Sequence, residues 1–256
     1  MATNYLQLTN ELLREMNEVV LTASNFSSAI GIQAHVQDCV NRAYLDIVLE
    51  EPQWPFLSVG ESGSTDPLYG NVTVETVANQ RWYELKAASS SLIDDYGYID
   101  WDDFYITTVG VSGETAPYVS ENLRYITLEQ WKDYHRAQEN ADDAEDANGG
   151  QPRRVFRSSD GRNFGLSPIP DKVYRIHFFA FNQATQLSAY SDTIVFPDVY
   201  KTVLLARARY YIHQFKENIQ PAALANEDYR RGLKLMKNIL MSPTPDFIKD
   251  DRMRLV

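Results

Sequence analysis

At 256 residues the chain exceeds the usual size of one domain. Its 44% apolar and 12% aromatic residues are ample for a packed core, and a disordered chain would need low hydrophobicity with high charge. A formal charge of −11, from 35 acidic and 24 basic side chains, argues against a wrapped, phosphate-gripping DNA contact. The charge is uneven: residues 198–256 hold 11 basic and 7 acidic side chains, or +4, which leaves −15 on residues 1–197. A basic C-terminal part on an acidic body suggests two surfaces with different partners. The single cysteine, Cys39, excludes an intramolecular disulfide framework and a multi-thiolate metal site, and its apolar surroundings read as a small buried hydrophobe. The N-terminus lacks the basic and apolar regions of a signal peptide. No apolar run approaches the roughly 20 residues that span a bilayer, so no membrane partner is expected and cytosol-like conditions are.

The first predicted helix runs from about Asn4 to Val20, with Tyr5, Leu8, Leu12, Met16 and Val19 recurring at steps of three and four. A Ser/Asn linker over 22–28 follows, in which Ser27 or Ser28 can cap the next helix. That helix spans about Ala29 to Glu51, its apolar stripe being Ile32, Val36, Cys39, Val40, Ala43, Tyr44 and Ile47, and Pro52 stops it. Between Trp54 and Phe196 the period changes. Segments 72–77, 81–85, 103–109, 123–128, 154–158 and 173–181 are β-branched and aromatic, separated by Gly, Pro, Asp and Ser, and predict about six short strands. A short helix is expected over Leu128–Asn140 with Thr127 as its cap, followed by an acidic exposed loop over 139–150.

After Phe196 the helical period returns. Pro197-Asp198 marks a start, with Val203, Ala206, Tyr210 and His213 on one face and Leu204, Ala208, Tyr211 and Phe215 on the adjoining one. A last helix is expected from about Pro221 to Met241, with Ala225, Tyr229, Gly232, Met236 and Ile239 as its stripe. The fold class predicted is α+β: a four-helix bundle from both chain ends, an inserted all-β module of sandwich or barrel type, and an extended C-terminal arm. Residues 1–53 and 197–241 form the two bundle halves, 54–196 the β module and 242–256 the arm. The expected bundle core is Leu8, Leu12, Met16, Val36, Val40, Ile47, Val203, Tyr210, Tyr229 and Met236.

Little in the chain points to chemistry. His35, His135, His177 and His213 are far apart and in no zinc-binding spacing, and no nucleophile-elbow, P-loop or dinucleotide motif occurs. No catalytic residue, cofactor or metal is therefore assigned. The acidic string Asp94, Asp95, Asp100, Asp102 and Asp103 lacks the spacing of a calcium loop, and its interleaved Tyr and Trp suit a turn. Arg153, Arg154, Arg157 and Arg162 surround a Ser-Asp-Gly turn and read as a hairpin with cross-strand salt bridges to nearby acids, with phosphate contact as the alternative.

Three blocks carry a resemblance. YLQLTNELLREMNE followed by GIQAHVQDCVNRAYLDIVLEEPQWPF, ending in Trp54-Pro55-Phe56, is the first. LRYITLEQW followed by RVFRSSDGRNFGLSPIPDKVYRIHFFAF is the second, and DVYKTVLLARARYYIHQF followed by ANEDYRRGLKLMKNIL the third. In this order, over about half the chain, they resemble the head-to-tail adaptors of short-tailed phages (the tail tubular protein A family) and look like the neck proteins of contractile-tailed cyanophages. The resemblance implies a non-enzymatic virion protein, assembled in the host cytoplasm into a dodecameric ring between portal and tail. Its implied partners are the portal protein, a tail nozzle, tube or second neck protein, copies of itself, tail fibres, and DNA passing without sequence specificity. It also implies that C-terminal residues reach the portal. In the arm, Phe247, Ile248, Met253 and Leu255 supply apolar anchors, and Lys249, Arg252 and Arg254 supply charge. The readings set against this one are a tail terminator or second neck ring, a non-enzymatic ligand-binding β module on a helical stalk, and a hydrolase using the acidic string.

Overall fold

The computed structural model describes residues 3–59, 72–85, 96–108, 120–134, 149–183 and 185–241. The chain divides into two compact units, one made of residues 1–56 with 184–256 and the other of residues 57–183. The architecture is mixed α+β, with five helices and a curled seven-stranded sheet among the described residues.

The first unit is helical. Helix α1 spans Tyr5–Glu15, and Asn4 starts it with a capping box: its side chain accepts from the Gln7 N–H at 2.8 Å while Gln7 Oε1 accepts from the Asn4 N–H at 3.1 Å. The helix stops well short of the expected Val20. Asn17 adopts φ 58°, and the buried Asn10 side chain bonds both the N–H and the C=O of Leu21, at 2.7 and 2.8 Å. These two bonds give residue 21 the backbone partners a longer helix would have given it, and Val19 is left 74% exposed. Helix α2 spans Ile32–Leu49 rather than starting at Ala29, because Phe26–Ser28 form a 3-10 turn and Gly31 enters the helix at φ 61°. Its buried side is Val36, Cys39, Val40, Ala43, Tyr44, Ile47 and Val48.

The sequence reading carries the β module to residue 196. In the structure, residues 185–196 lie against the helices instead: the Tyr5 backbone N–H donates to the Asp192 carbonyl at 2.7 Å, Asn41 bonds both backbone groups of Leu187 at 3.0 Å, and Phe196 stacks on Tyr44. A non-periodic segment gives no hint of this attachment. Helix α4 spans Lys201–Phe215 and α5 spans Ile219–Leu240, joined by a turn with Glu217 at φ 56°. Pro221 sits in the first turn of α5, where its missing donor costs no intrahelical bond.

The second unit is built on strands β1 (Val72–Glu75), β2 (Trp82–Glu84), β3 (Tyr96–Ile99), β4 (Phe104–Thr108), β5 (Ser120–Tyr125), β6 (Arg154–Arg157), β7 (Asn163–Ser167), β8 (Tyr174–Phe178) and β9 (Ala180–Asn182), with helix α3 (Leu128–Tyr134) between β5 and β6. Seven strands pair in the order β1-β8-β4-β5-β6-β7-β2, and β3 pairs separately with β9. The two edge strands are consecutive in the chain. A flat seven-stranded sheet would separate its edges by about 29 Å, at about 4.8 Å per strand. The seven steps from Glu75 to Trp82 reach about 24 Å when fully stretched, and a turn bond from Gln80 N–H to the Val77 carbonyl shortens them further. The sheet must curl. Tyr83 fixes the closure, its hydroxyl bonding Val77 N–H and the carbonyls of Val77 and Gln80 at 2.7–3.1 Å. Inside lie Phe104, Ile106, Val155, Phe164, Ile176 and Phe178, all fully buried.

All pairings in the sheet are antiparallel except β5–β6. A parallel neighbour needs a crossover, and α3 lies in it. Its predicted cap forms as a capping box between Thr127 and Gln130. The stretch 173–181, read as one strand, breaks at Phe179 into β8 and β9, which serve different sheets. On the outer face, α3 lays Trp131 on Phe156 with ring centroids 4.8 Å apart, and Trp82 meets the edge of Phe156 at 5.2 Å. Gly165 is paired with both Trp82 and Phe156, and a Cβ there would fall 2.4 Å from the Phe156 ring. Two aromatic rings cover a bare glycine. Gly165→Ala is therefore expected to cost about 1–3 kcal/mol through overpacking, read as a lower urea midpoint, with the helical content in far-UV dichroism unchanged.

Candidate interaction surfaces

The helical unit is held by side chains from opposite chain ends. Arg207 of α4 donates Nε–H to Asp46 of α2 at 2.7 Å and Nη1–H to Asn226 of α5 at 3.2 Å. Its guanidinium lies 4.8–5.0 Å from the ring centres of Tyr210, Tyr211 and Tyr229. Tyr211 donates its hydroxyl to the same Asp46 carboxylate, and Arg42 lies over the Tyr211 ring at 4.2 Å. Burial is the largest influence on Arg207 and would lower its pKa; the hydrogen bond and charge of Asp46 outweigh it, and the net shift is upward. Further pairs join Lys201 to Glu11 at 3.2 Å, Arg209 to Glu15, and Lys237 to Glu50 at 3.2 Å.

This changes the meaning of the charge asymmetry. Four of the cations that make residues 198–256 basic face acids of α1 and α2 or of the residues just after α2, so they hold the chain ends together instead of forming a separate basic surface. What α5 presents outward is a line of Leu224, Leu235 and Ile239, all exposed, beside Arg230, Lys234 and an Arg231–Glu227 pair at 3.0 Å.

Of the predicted bundle core, Leu8, Leu12, Val36, Val40, Ile47, Val203, Tyr229 and Met236 are buried, while Met16 and Tyr210 are half-buried. Met16 falls at the end of the shortened α1, and Tyr210 lies in contact with Arg207. Phe215 and Ile239, each placed on an apolar stripe by spacing, are exposed. The arm residues Phe247, Ile248, Lys249, Arg252, Met253, Arg254 and Leu255 lie outside the described residues, as do His135, Asp94, Asp95 and residues 139–148 of the acidic loop.

Cys39 and His177, two of the remaining candidates for chemistry, have structural partners. Cys39 is buried, its Sγ 3.4 Å from His35 Nε2, and burial followed by the charge of Asp38 pushes the thiol up to about 11, away from reactivity. His177 is buried between Thr107 Oγ1 at 2.8 Å and Thr73 Oγ1 at 3.0 Å. Among the described residues no three His, Cys, Asp or Glu side chains converge on a metal position, and no helix is long and apolar enough to cross a membrane. The Ser-Asp-Gly hairpin forms between β6 and β7, but the expected salt bridges do not. Among the described residues Arg153, Arg154, Arg157 and Arg162 have no ion pair, and the cross-strand pair of this unit is Arg175–Glu75 at 3.1 Å. The acids that could have met them act locally: Asp160 bonds its own turn and Asp100 accepts from the Asp102 N–H.

Two outcomes follow from these contacts. Asp46→Asn should lower stability by about 1–3 kcal/mol, at the low end because the pair is 21% and 29% exposed, and Arg207→Met on top of it should cost less than additively in a double-mutant unfolding cycle. Asp103 has its carboxyl raised above the usual range, by burial first and then by Asp100 and Asp102. A raised carboxyl disfavours the folded state once ionised, so Asp103→Asn should raise Tm at pH 7. The gain should fade as pH falls through the Asp103 pKa, where both side chains are neutral.

The model of the SU10 adaptor protein family matches residues 3–246, which takes in both units. No curated protein matches the chain. With a family match over nearly its whole length, the chain belongs to the SU10 adaptor protein family, and it is a structural adaptor protein of a phage.

Proposed function

We propose that the protein forms a ring, dodecameric by its resemblance to tail tubular protein A, that joins the portal to the tail and encloses the passage for DNA. The observation that carries this reading is the family match over residues 3–246. The charge of −11 supports it, because an acidic wall keeps moving DNA from adhering. In this reading the helices of the two chain ends make a four-helix bundle, copies assemble in the host cytoplasm, and the virion neck is their final location. Phe247, Ile248, Met253 and Leu255 dock as apolar anchors on the portal, with Lys249, Arg252 and Arg254 beside them; a nozzle, tube or second neck protein binds on the tail side.

A ring of identical subunits needs two different complementary faces on each copy. Individual contacts between rigid subunits can be weak, so a monomer in isolation is compatible with a ring that forms on the portal. Mixed with its portal, the full chain should appear in electron micrographs as a ring seated on one end of the portal. Removal of residues 243–256 should abolish that co-assembly while leaving the dichroism and melting of the helical unit unchanged. Undiminished portal binding by the shortened chain would refute the docking role of these residues.

A further inference from the structure

The β unit contains a cleft of about 580 Å³, a volume typical of sites that receive a ligand or an anchoring side chain. Tyr96, Tyr98, Ile99 and Trp101 form one wall, and Arg157 and Arg162 of the β6–β7 hairpin line the other. Trp101 is a fixed platform. Its ring stacks on Phe104 at 5.2 Å and 15°, Phe104 stacks on Phe178 at 4.8 Å and 10°, and Tyr125 braces Trp101 at 5.5 Å. The column ends in the core of the sheet, so a partner stacking on Trp101 need not immobilise it.

The cations are arranged with similar economy. The Arg157 guanidinium lies over the Trp101 ring at 5.9 Å from its centre, so a group packed against Trp101 also meets this cation. It occupies the space any side chain at 161 would need, since a Cβ on Gly161 would fall 2.6 Å from Nη2. The carboxylate that lines the cleft, Asp160, is engaged by the turn: it accepts from Ser158 Oγ, from the Arg162 N–H at 3.0 Å and from Asn163 Nδ2 at 3.4 Å, and these bonds hold its carboxyl below the usual range. Neither Arg157 nor Arg162 has an ion pair among the described residues. Two guanidiniums thus face a cleft in a unit that carries 20 acidic against 11 basic side chains, these two included. A nucleic-acid strand laid across such a unit would be repelled along its length. A single carboxylate would feel chiefly the charges lining the cleft, the two arginines against the one Asp160 carboxylate, because charges beyond about 8 Å are screened.

We propose that this cleft is an anchor site for an acidic peptide segment of a partner protein, whose carboxylate meets Arg157 and Arg162 while the adjoining side chain lies on Trp101. Tyr, Trp and Arg are the residues that dominate protein–protein anchors, and a guanidinium fork matches a carboxylate. That the partner is another virion protein rests on the adaptor reading; the site itself does not.

The test uses the ¹⁵N-labelled full chain and the probe acetyl-tetraglutamate amide, following the indole N–H signals of its four tryptophans, with Trp101 assigned through Trp101→Phe. The Trp101 signal should shift saturably, and Arg157→Gln with Arg162→Gln should weaken the affinity about tenfold or more. The other three indole signals should stay in place and report an intact fold; Arg162→Gln alone is the milder variant. The proposal is overturned by an equal shift with acetyl-tetraglutamine amide, by unchanged affinity in the double variant, or by tighter binding of oligothymidylate or oligoglucuronate at the same signal. Absence of any saturable shift at millimolar probe overturns it too. Portal co-assembly of the wild-type chain is scored separately: if it fails while the peptide binds, the portal-to-tail ring falls and the cleft stands.

Discussion

Arg207 is the side chain on which the helical unit most depends. It reaches Asp46 of α2 and Asn226 of α5 from its place on α4, and three tyrosine rings surround it. A guanidinium drawn partly out of water is costly unless its donors are matched. Here the matching groups come from segments 161 and 19 residues away, so the cation is satisfied only when those three helices have met. Apolar burial along α2 and α4 supplies most of the stabilisation, but many helix arrangements would bury those residues. The polar cluster selects among them. The Glu15–Arg209 and Glu11–Lys201 pairs extend the same selection to α1.

In the second unit the corresponding constraint is the short link between the two sheet edges. Because β1 and β2 are sequence neighbours yet stand at opposite ends of the strand order, closure is imposed by chain connectivity before any side chain is considered. Tyr83 and the inward row of Phe104, Phe164 and Phe178 then fill the space that closure creates. The outer face has its own solution: α3 and Trp82 cover the strip left open by Gly165.

The sequence made these units legible to different degrees. Helices α2, α4 and α5 and the α3 cap follow from spacing and from single punctuating residues, such as Thr127 before a helix and Pro52 after one. The early end of α1 does not, since it depends on a bond from Asn10 to a residue eleven positions on that no periodicity encodes. Strand β3 is hidden because YGYI carries a glycine and little apolar alternation, and β7 is implied only by the Ser-Asp-Gly turn before it; their pairing partners, more than their own residues, make them strands. The basic C-terminal part is visible, but net charge cannot say whether a cation faces a partner protein or another helix of its own chain. The cleft is illegible in the sequence for a related reason. It joins the acidic string at Trp101 to the arginine cluster at Arg157, two motifs 56 positions apart that gain meaning only when folded together.

The β unit also begins and ends at one place. Ser58 bridges to Phe181, and the Val59 N–H donates to the Ala180 carbonyl at 3.1 Å. Once folded, those 127 residues span no more distance than a tight connection. The entropy of closing a long loop between α2 and α4 then falls to that of closing a short one. Synthesis and folding can accordingly proceed inside out, the middle of the polypeptide consolidating first and drawing the later helices towards those already made. For the same reason the insert can be lengthened, trimmed or exchanged over evolutionary time without altering the helices that carry it.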